Sequence, residues 1–259
     1  MLQLFDTHCH LDFAHFDPDR PELIGACTAA GINGIVVPGT EPNQWPGCRR
    51  LADDFPSLYF AVGIHPWWVA KTGLQHDISD AFDRVLLTSP HRALVAIGEC
   101  GLDGSIAIPL DVQQRVLELQ LAFAKEHCLP VILHSHRAHN EMIRLLKRYK
   151  LERGGVVHGF SGSVDLARTY WQMGFYLGVG GVITYERAKK TRETVAAMPL
   201  SSVLLESDAP DMPLSGCQGQ RNTPLAIIEV AKVLARLRGQ TVDEVAAQTT
   251  QNAKTLFAL

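Results

Sequence analysis

The chain has 259 residues, 46% of them hydrophobic, and its 24 basic and 27 acidic side chains give a net charge of −3. This balance excludes a broad cationic surface for gripping duplex nucleic acid, but it leaves room for a phosphorylated substrate, because bound cations add charge that a residue count misses. The six cysteines are scattered and include no C-x-x-C pair, and the sequence starts without a basic and apolar leader. No apolar run reaches about 18 residues. These features predict a cytoplasmic protein without membrane spans.

Short apolar segments alternate with helical patterns along the whole chain. The predicted strands cover residues 2–10, 32–39, 58–65, 93–99, 130–134, 155–158, 175–180 and 203–208. The predicted helices cover residues 17–30, 42–54, a region through Leu87, and then 111–127, 140–149, 164–173, 186–197, 224–238 and 242–257. This alternation is typical of a parallel sheet built from βαβ units.

About eight such units in about 250 residues predict an α/β protein with a (β/α)8 TIM barrel. An open, doubly wound sheet is the alternative, but no G-x-G-x-x-G follows the first strand. No linker, low-complexity tract or charge block divides the sequence. We therefore expect a single barrel domain that spans residues 1–259.

The first strand ends in two histidines, His8 and His10, separated by Cys9. Because strand side chains alternate between faces, both imidazoles are predicted to share one face, with the thiol on the other. Two adjacent imidazoles can form half of a metal site, but they can equally be two solvated histidines. We interpret Cys9 as a small buried apolar residue rather than a ligand.

Ligand-type residues also end most of the later strands. They are His65 on the third strand, Glu99 on the fourth, His134 on the fifth, His158 on the sixth and Asp208 on the eighth. Strand carboxyl ends converge on the face of a barrel where active sites are built. Four imidazoles, excluding His65, and two carboxylates are too many for one tetrahedral zinc with an open position, so they favour two adjacent divalent ions.

The mixed nitrogen and oxygen donors favour zinc or manganese, although magnesium is left open because ligands alone do not assign the metal.

Glu206 shares a face with Asp208 and is interpreted as an orienting group, a direct ligand or a buried carboxylate paired with a neighbouring strand. Arg137 and Arg221 are candidates for holding an anionic group, and His65 and Glu206 join them as candidate substrate contacts.

Four tryptophans offer possible surfaces for stacking bases. Trp67 and Trp68 follow His65-Pro66 at the strand-end face, where stacking is plausible. Ordinary packing against the barrel helices is the interpretation for Trp45 and Trp171.

These segments, taken together, resemble the TatD-type metal-dependent hydrolases, a family of deoxyribonucleases. The matching segments are D-T-H-C-H-L-D at 6–12, G-I-H-P at 63–66, G-E-C-G-L-D at 98–103, P-V-I-L-H at 130–134, H-G-F-S-G at 158–162, L-E-S-D-A-P at 205–210, N-T-P at 222–224, N-A at 252–253 and L-F at 256–257. The resemblance runs nearly from end to end, and the joint set of motifs is far more specific than any single one.

The resemblance implies a barrel of the amidohydrolase type with two divalent ions, which are zinc, manganese or magnesium. By it, His8, His10 and Asp208 hold one ion. His134 and His158 hold the other ion, and Glu99 bridges the two. The implied reaction is phosphodiester hydrolysis by a metal-activated hydroxide, with Glu99 and Asp208 catalytic and Asp208 accepting the proton.

Three positions depart from the family pattern. Gly104-Ser105 stands where the family usually has an aromatic residue after its Gly-Leu-Asp. Gly159 replaces a frequent cysteine, and Ser207 replaces the usual threonine. No metal ligand is lost, so the missing aromatic bears on substrate preference alone.

Three functions are compared. The first is a deoxyribonuclease of exonuclease type that acts on single strands or DNA ends. The second is a hydrolase of a small lactone, amide, phosphoester or nucleobase on the same barrel, which the lack of a strand-end lysine for carbamylation disfavours. The third is a binding protein with a structural metal, but structural sites are usually closed and four-coordinate. DNA is the expected substrate, with no membrane and no obligate protein partner.

Overall fold

A computed structural model describes residues 2–69, 75–86 and 91–259 of the chain. The strands are β1 Leu4–Asp6, β2 Ile32–Gly39, β3 Leu58–Val62, β4 Leu94–Asp103, β5 Val131–His136, β6 Gly155–Val157, β7 Phe175–Val179 and β8 Val203–Leu205. The helices are α1 Arg20–Ala29, α2 Trp45–Asp54, α3 Gln75–Leu86, α4 Leu110–Glu126, α5 His139–Tyr149, α6 Val164–Gln172, α7 Lys189–Ala197, α8 Ile227–Arg238 and α9 Val242–Phe257. The predicted end of the third helix at Leu87 lies outside the described residues.

The eight strands form one sheet in chain order, from β1 to β8. The pairs β1–β2, β3–β4, β4–β5 and β7–β8 are parallel. The backbone just after β1 also pairs with β8 and its extension, because Thr7 N donates to Leu205 O at 3.0 Å and His10 N donates to Ala209 O at 2.8 Å. The first and last strands therefore meet, and this closure confirms the predicted (β/α)8 barrel fold.

The chain divides into two compact units. Unit 1 consists of Met1–Val37 and Val157–Leu259, and unit 2 is the continuous segment Pro38–Val156. The single domain expected from the sequence stays a prediction. None of the helices in the described ranges combines the length and apolar character that a membrane span requires.

Unit 1 is built around β1, β7 and β8, whose residues are almost all buried. The helix α9 begins in a capping box, in which Thr241 and Glu244 satisfy each other's backbone N–H groups. Its inner face buries Val245, Leu256 and Phe257. The core of unit 1 therefore fixes the carboxyl ends of β1 and β8, where candidate ligands follow.

Unit 2 is built around β3, β4 and β5, and β4 is longer than the sequence predicted. The predicted strand ends at Glu99, whereas β4 continues to Asp103. The β4–β5 register shifts between Ile97 and Cys100 and then continues to the pair Asp103–His136. Because the irregularity lies inside the strand, residues 100–103 after it are still paired with β5, and Glu99 and Asp103 both lie within β4.

Gly101 lets β4 approach β5 closely beside His134. Its backbone φ is +155°, and a Cβ added there would lie 1.9 Å from the backbone oxygen of His134. We expect Gly101→Ala to lower the free energy of unfolding by about 2–4 kcal/mol, since it adds both backbone strain and overpacking. Urea unfolding measures the change.

Gly25→Ala is the matched control for this substitution, because nothing lies within 4 Å of the added Cβ in α1. It should raise the free energy of unfolding by about 0.5–1 kcal/mol, as expected for glycine in an exposed helix interior. Equal unfolding midpoints for wild type and Gly101→Ala would contradict the close approach of the two strands.

Candidate functional site

The first group of candidate ligands follows β1 in unit 1. The strand itself ends at Asp6, and His8 and His10 lie on its extension, where Cys9 bridges to Ala209. The Nε2 atoms of His8 and His10 are 3.2 Å apart, and their rings meet edge to face. The two imidazoles therefore point the same way, as the alternation of strand side chains predicted. Cys9 is fully buried, and burial raises the pKa of its thiol well above the usual range.

Asp208, from the segment after β8, joins this pair of histidines. Its Oδ1 lies 3.5 Å from Nε2 of His8 and 3.7 Å from Nε2 of His10. The backbone of Asp208 has φ +53°, and its N–H donates to the carbonyl of His8 at 2.9 Å. This turn in the backbone, which asparagine and aspartate tolerate best, brings the carboxylate to the histidines.

His158 and Glu206 complete the group in unit 1. The ring of His158 stacks on that of His8 with centroids 4.0 Å apart, and its Nδ1 lies 3.7 Å from Oε1 of Glu206. Gly159 N donates to the same oxygen at 2.5 Å. A Cβ on Gly178 would lie 2.2 Å from Oε2 of Glu206, so a glycine there makes room for the carboxylate. Within the described residues, Oε2 has no hydrogen-bond partner.

A network behind these ligands holds the two segments of unit 1 together. Asp6 Oδ1 accepts from the backbone N–H of Ser207 at 2.9 Å and of His8 at 3.2 Å. Burial raises the pKa of Asp6 to about 7, although the hydrogen bonds from Ser207 and His8 act in the opposite direction. The side-chain amide of Asn222 donates to the carbonyls of Ser207 and Asp211 at 2.9 and 2.8 Å. Asp208 is therefore fixed from both sides.

The second group lies in unit 2 and consists of His65, Glu99 and His134. Oε1 of Glu99 lies 3.3 Å from Nε2 of His65 and 3.2 Å from Nδ1 of His134. The two rings are 4.4 Å apart at their centroids and inclined by 70°. His65, which was predicted to contact substrate, thus lies beside the two predicted metal ligands of this unit.

Asp103 is a site residue that the sequence reasoning missed. Its Oδ2 accepts from Nε1 of Trp67 at 3.1 Å and lies 3.3 Å from Nε2 of His134. Desolvation opposes the charged form, but hydrogen bonds from Ser105 and Trp67 outweigh it and lower the pKa of Asp103 to about 2. The spacing of four residues from Glu99 was the available signal, since an even spacing on a strand indicates a shared face.

The two candidate arginines differ in their surroundings. Arg137 is exposed in the turn between β5 and α5, with a backbone φ of +52°. Arg221 binds both carboxylate oxygens of Asp19, at 2.8 and 2.6 Å, and donates to the carbonyl of His15 at 2.7 Å. The Arg221 side chain therefore joins the segment after β8 to the start of α1, and substrate binding by either arginine stays a prediction.

Both units present donor sets that fit a divalent metal. In unit 1, His8, His158 and Glu206 each offer a ligand atom within 4.8 Å of the others, and His65, Glu99 and His134 do the same in unit 2. Imidazole nitrogen and carboxylate oxygen are ligands for zinc and manganese. The buried Oε2 of Glu206, which has no hydrogen-bond partner among the described residues, is what a ligand oxygen is expected to look like before an ion is bound.

Comparison with known proteins identifies the family of this chain. Residues 5–258 match the family model described as "TatD related DNase". The chain belongs to the TatD family. A TatD-family relative, the "Uncharacterized metal-dependent hydrolase YjjV" of Escherichia coli (strain K12), is 44% identical, over 99% of this chain and 98% of its own. The crystal structure of that TatD homologue superposes with a TM-score of 0.94, over 99% of this chain and 98% of the other.

Another TatD-family relative carries a name that includes a substrate. The protein named "3'-5' ssDNA/RNA exonuclease TatD" from Rahnella sp. (strain Y9602) is 32% identical, over 99% of this chain and 98% of its own. Membership of the family confirms the resemblance stated from the motifs, and the chain is a metal-dependent hydrolase of the TatD family. The role of each site residue stays a prediction.

Proposed function

We propose that the protein is a deoxyribonuclease of exonuclease type, which hydrolyses phosphodiester bonds in single strands or at DNA ends. The observation that carries the proposal is the pair of histidine–carboxylate groups, with ligand atoms within 4.8 Å of one another in each unit. The TatD relative named as an exonuclease on ssDNA and RNA supports the substrate class. The nearly neutral charge of the chain also suits single strands better than a duplex.

The proposed metal ligands are His8, His10, Glu99, His134, His158 and Asp208. Divalent ions bound to such ligands supply a nucleophile at neutral pH and stabilise the charge that develops on phosphoryl oxygens. The proposed bridging role of Glu99 and the shared ion of His134 and His158 come from the family resemblance. Glu206 is proposed either to orient His158 or to bind the metal directly, since its Oε1 lies 3.7 Å from Nδ1 of His158 and its buried Oε2 has no hydrogen-bond partner among the described residues.

The proposed role of Asp208 goes beyond metal binding. Its side chain is 19% exposed, whereas that of His8 is fully buried, so this carboxylate is the more open to solvent. A carboxylate that is held beside two imidazoles and still reaches water can accept a proton in the reaction. We therefore assign Asp208 as the proton acceptor and His8 as a ligand without proton transfer.

The test uses purified protein that has been stripped with a chelator and reloaded with zinc, manganese or magnesium. We expect stepwise shortening of an end-labelled single-stranded oligonucleotide, which the chelator abolishes, and slower cleavage of a blunt duplex. Metal analysis is expected to find two ions per chain. Inactivity on DNA with every metal, together with turnover of a lactone, amide or phosphotriester, would replace the nuclease by the small-molecule hydrolase.

The cellular location is a separate prediction from the nuclease function. A cytoplasmic location remains the prediction from composition, and it would give the enzyme access to DNA and to single-stranded ends. Fractionation of cells that produce the full-length protein tests it directly.

A further inference from the structure

Trp67 is unusual because a large aromatic ring is left open to solvent beside a group of candidate metal ligands. Its exposed fraction is 59%, the highest value among the exposed large hydrophobic side chains of the described residues. Trp45, in contrast, is 3% exposed. The exposed part of the indole gains nothing from burial within the protein, so this part of the ring is open to contact with a ligand.

The exposed ring is nevertheless held in place. Nε1 of Trp67 donates to Oδ2 of Asp103 at 3.1 Å, and the ring meets His65 edge to face with centroids 5.1 Å apart. Its backbone N–H donates to Nδ1 of His65 at 3.2 Å, within a short 3-10 helix over Pro66–Trp68. The next residue, Trp68, donates from Nε1 to the hydroxyl of Thr40 at 2.9 Å. A ring fixed in this way loses little conformational entropy when a ligand stacks on it.

The contacts of Trp67 lead directly to the candidate ligands of unit 2. Oδ2 of Asp103, which accepts from the indole, lies 3.3 Å from Nε2 of His134. His65, which contacts the ring, lies 3.3 Å from Glu99. A molecule stacked on the indole would therefore be adjacent to His65, Glu99 and His134.

The residues that follow Asp103 offer no competing aromatic ring. Gly104 and Ser105 are both exposed, and Ser105 uses its backbone N–H and its hydroxyl to bind Oδ1 of Asp103 at 2.8 and 2.6 Å. Ser105 and Trp67 thus occupy different oxygens of one carboxylate. Among the side chains that contact Asp103 on this side, the indole of Trp67 therefore provides the aromatic surface next to the candidate metal ligands.

We propose that Trp67 is a stacking platform for a nucleobase of the substrate, next to the bond that is hydrolysed. The proposal rests on the nuclease function proposed above and adds how the strand is held. Every base has a π face, so stacking binds single strands without demanding a sequence. A chain with net charge −3 has no large excess of cations for phosphate contacts, which increases the share of affinity that stacking must supply.

The experiment measures KM and kcat of the metal-loaded enzyme on two end-labelled oligonucleotides, one intact and one with abasic positions. The abasic positions stand at the end opposite the label, from which stepwise shortening proceeds. We expect Trp67→Ala to raise KM for the intact strand about tenfold and to change kcat less. Trp67→Phe should keep most of the affinity, because phenylalanine retains a ring without the N–H. For the wild type, the abasic strand should also raise KM about tenfold, and Trp67→Ala should show no further loss on it.

Trp171→Ala is the matched control, since Trp171 packs on Tyr176 where α6 ends and β7 begins. It should leave KM on both strands at wild-type values. Trp67→Leu replaces Trp67→Ala if the alanine variant fails to fold, which circular dichroism detects.

Four results would contradict the proposal, and they lead to three distinguishable conclusions. A wild-type KM for Trp67→Ala, or a wild type indifferent to abasic positions, would reject stacking while leaving the nuclease function intact. A Trp67→Phe variant as impaired as Trp67→Ala would reject stacking in favour of the indole N–H bond to Asp103. A wild type that cleaves no oligonucleotide with any metal would reject the nuclease function, and the stacking proposal with it.

Discussion

Glu99→Gln should lose bound metal and at least about 100-fold in hydrolytic activity, more than the usual cost of removing a group that only orients a ligand. Glu99 is almost fully buried, and a single oxygen lies 3.2–3.3 Å from two imidazoles. An amide of the same size can fill the space but carries no charge to balance a divalent ion. Metal analysis and cleavage of a labelled single strand measure the two losses in the same preparation.

The metal stoichiometry of this variant also tests the bridging role. If Glu99 bridges two ions, the content should fall from two per chain towards none, whereas loss of one ion would assign Glu99 to a single metal. Glu126→Gln, an exposed substitution at the end of α4, is the control and should keep both metal and activity. Full activity and metal content in Glu99→Gln would remove Glu99 from the site.

Asp208→Asn should lower kcat by about 100- to 10,000-fold while leaving the fold intact, because it removes the proposed proton acceptor. Asparagine tolerates the backbone φ of +53° found here, and the bond from the backbone N–H to His8 does not depend on the side chain. The loss should therefore appear in kcat and metal affinity rather than in the unfolding temperature. Activity at saturating metal separates proton transfer from weakened binding.

Asp211→Asn lies three residues further along the same segment, is exposed and serves as the matched control. It should behave as the wild type, since the carbonyl of Asp211, not its carboxylate, accepts from Asn222. Wild-type kcat in Asp208→Asn would exclude a catalytic role for this carboxylate.

The fold was predictable because its signal is repeated along the chain. Apolar segments such as 32–39 and 175–180 alternate with helices, and the strand order β1 to β8 follows from that alternation. The predicted end of β4 was wrong, since the strand continues past an irregularity between Ile97 and Cys100, and residues 100–103 remain paired with β5. The register of β4 depends on how it pairs with the neighbouring strand, and the spacing of residues in the sequence gives no information about that pairing.

The candidate site was predictable where local geometry decides it. His8 and His10 point the same way because they lie two positions apart on an extended segment. Partners that depend on distant loops were not predictable, as Arg221 shows by binding Asp19 from 202 residues away. The position of Asp103 between Trp67 and His134 likewise requires three separate strands or turns to be placed first.

Unit 1 is built from two segments that are far apart in the sequence, and this affects the order in which its parts form during synthesis of the chain. The contact between Asp6 and Ser207 joins residues that are 201 positions apart, whereas unit 2 is one continuous segment. At typical rates of translation, Asp208 is added about 10–40 s after His8 and His10. The candidate ligand group of unit 1 is therefore completed last, so the nascent chain offers a histidine pair without its carboxylates, and we expect any tight metal binding there to follow the synthesis of β8 and Asp208.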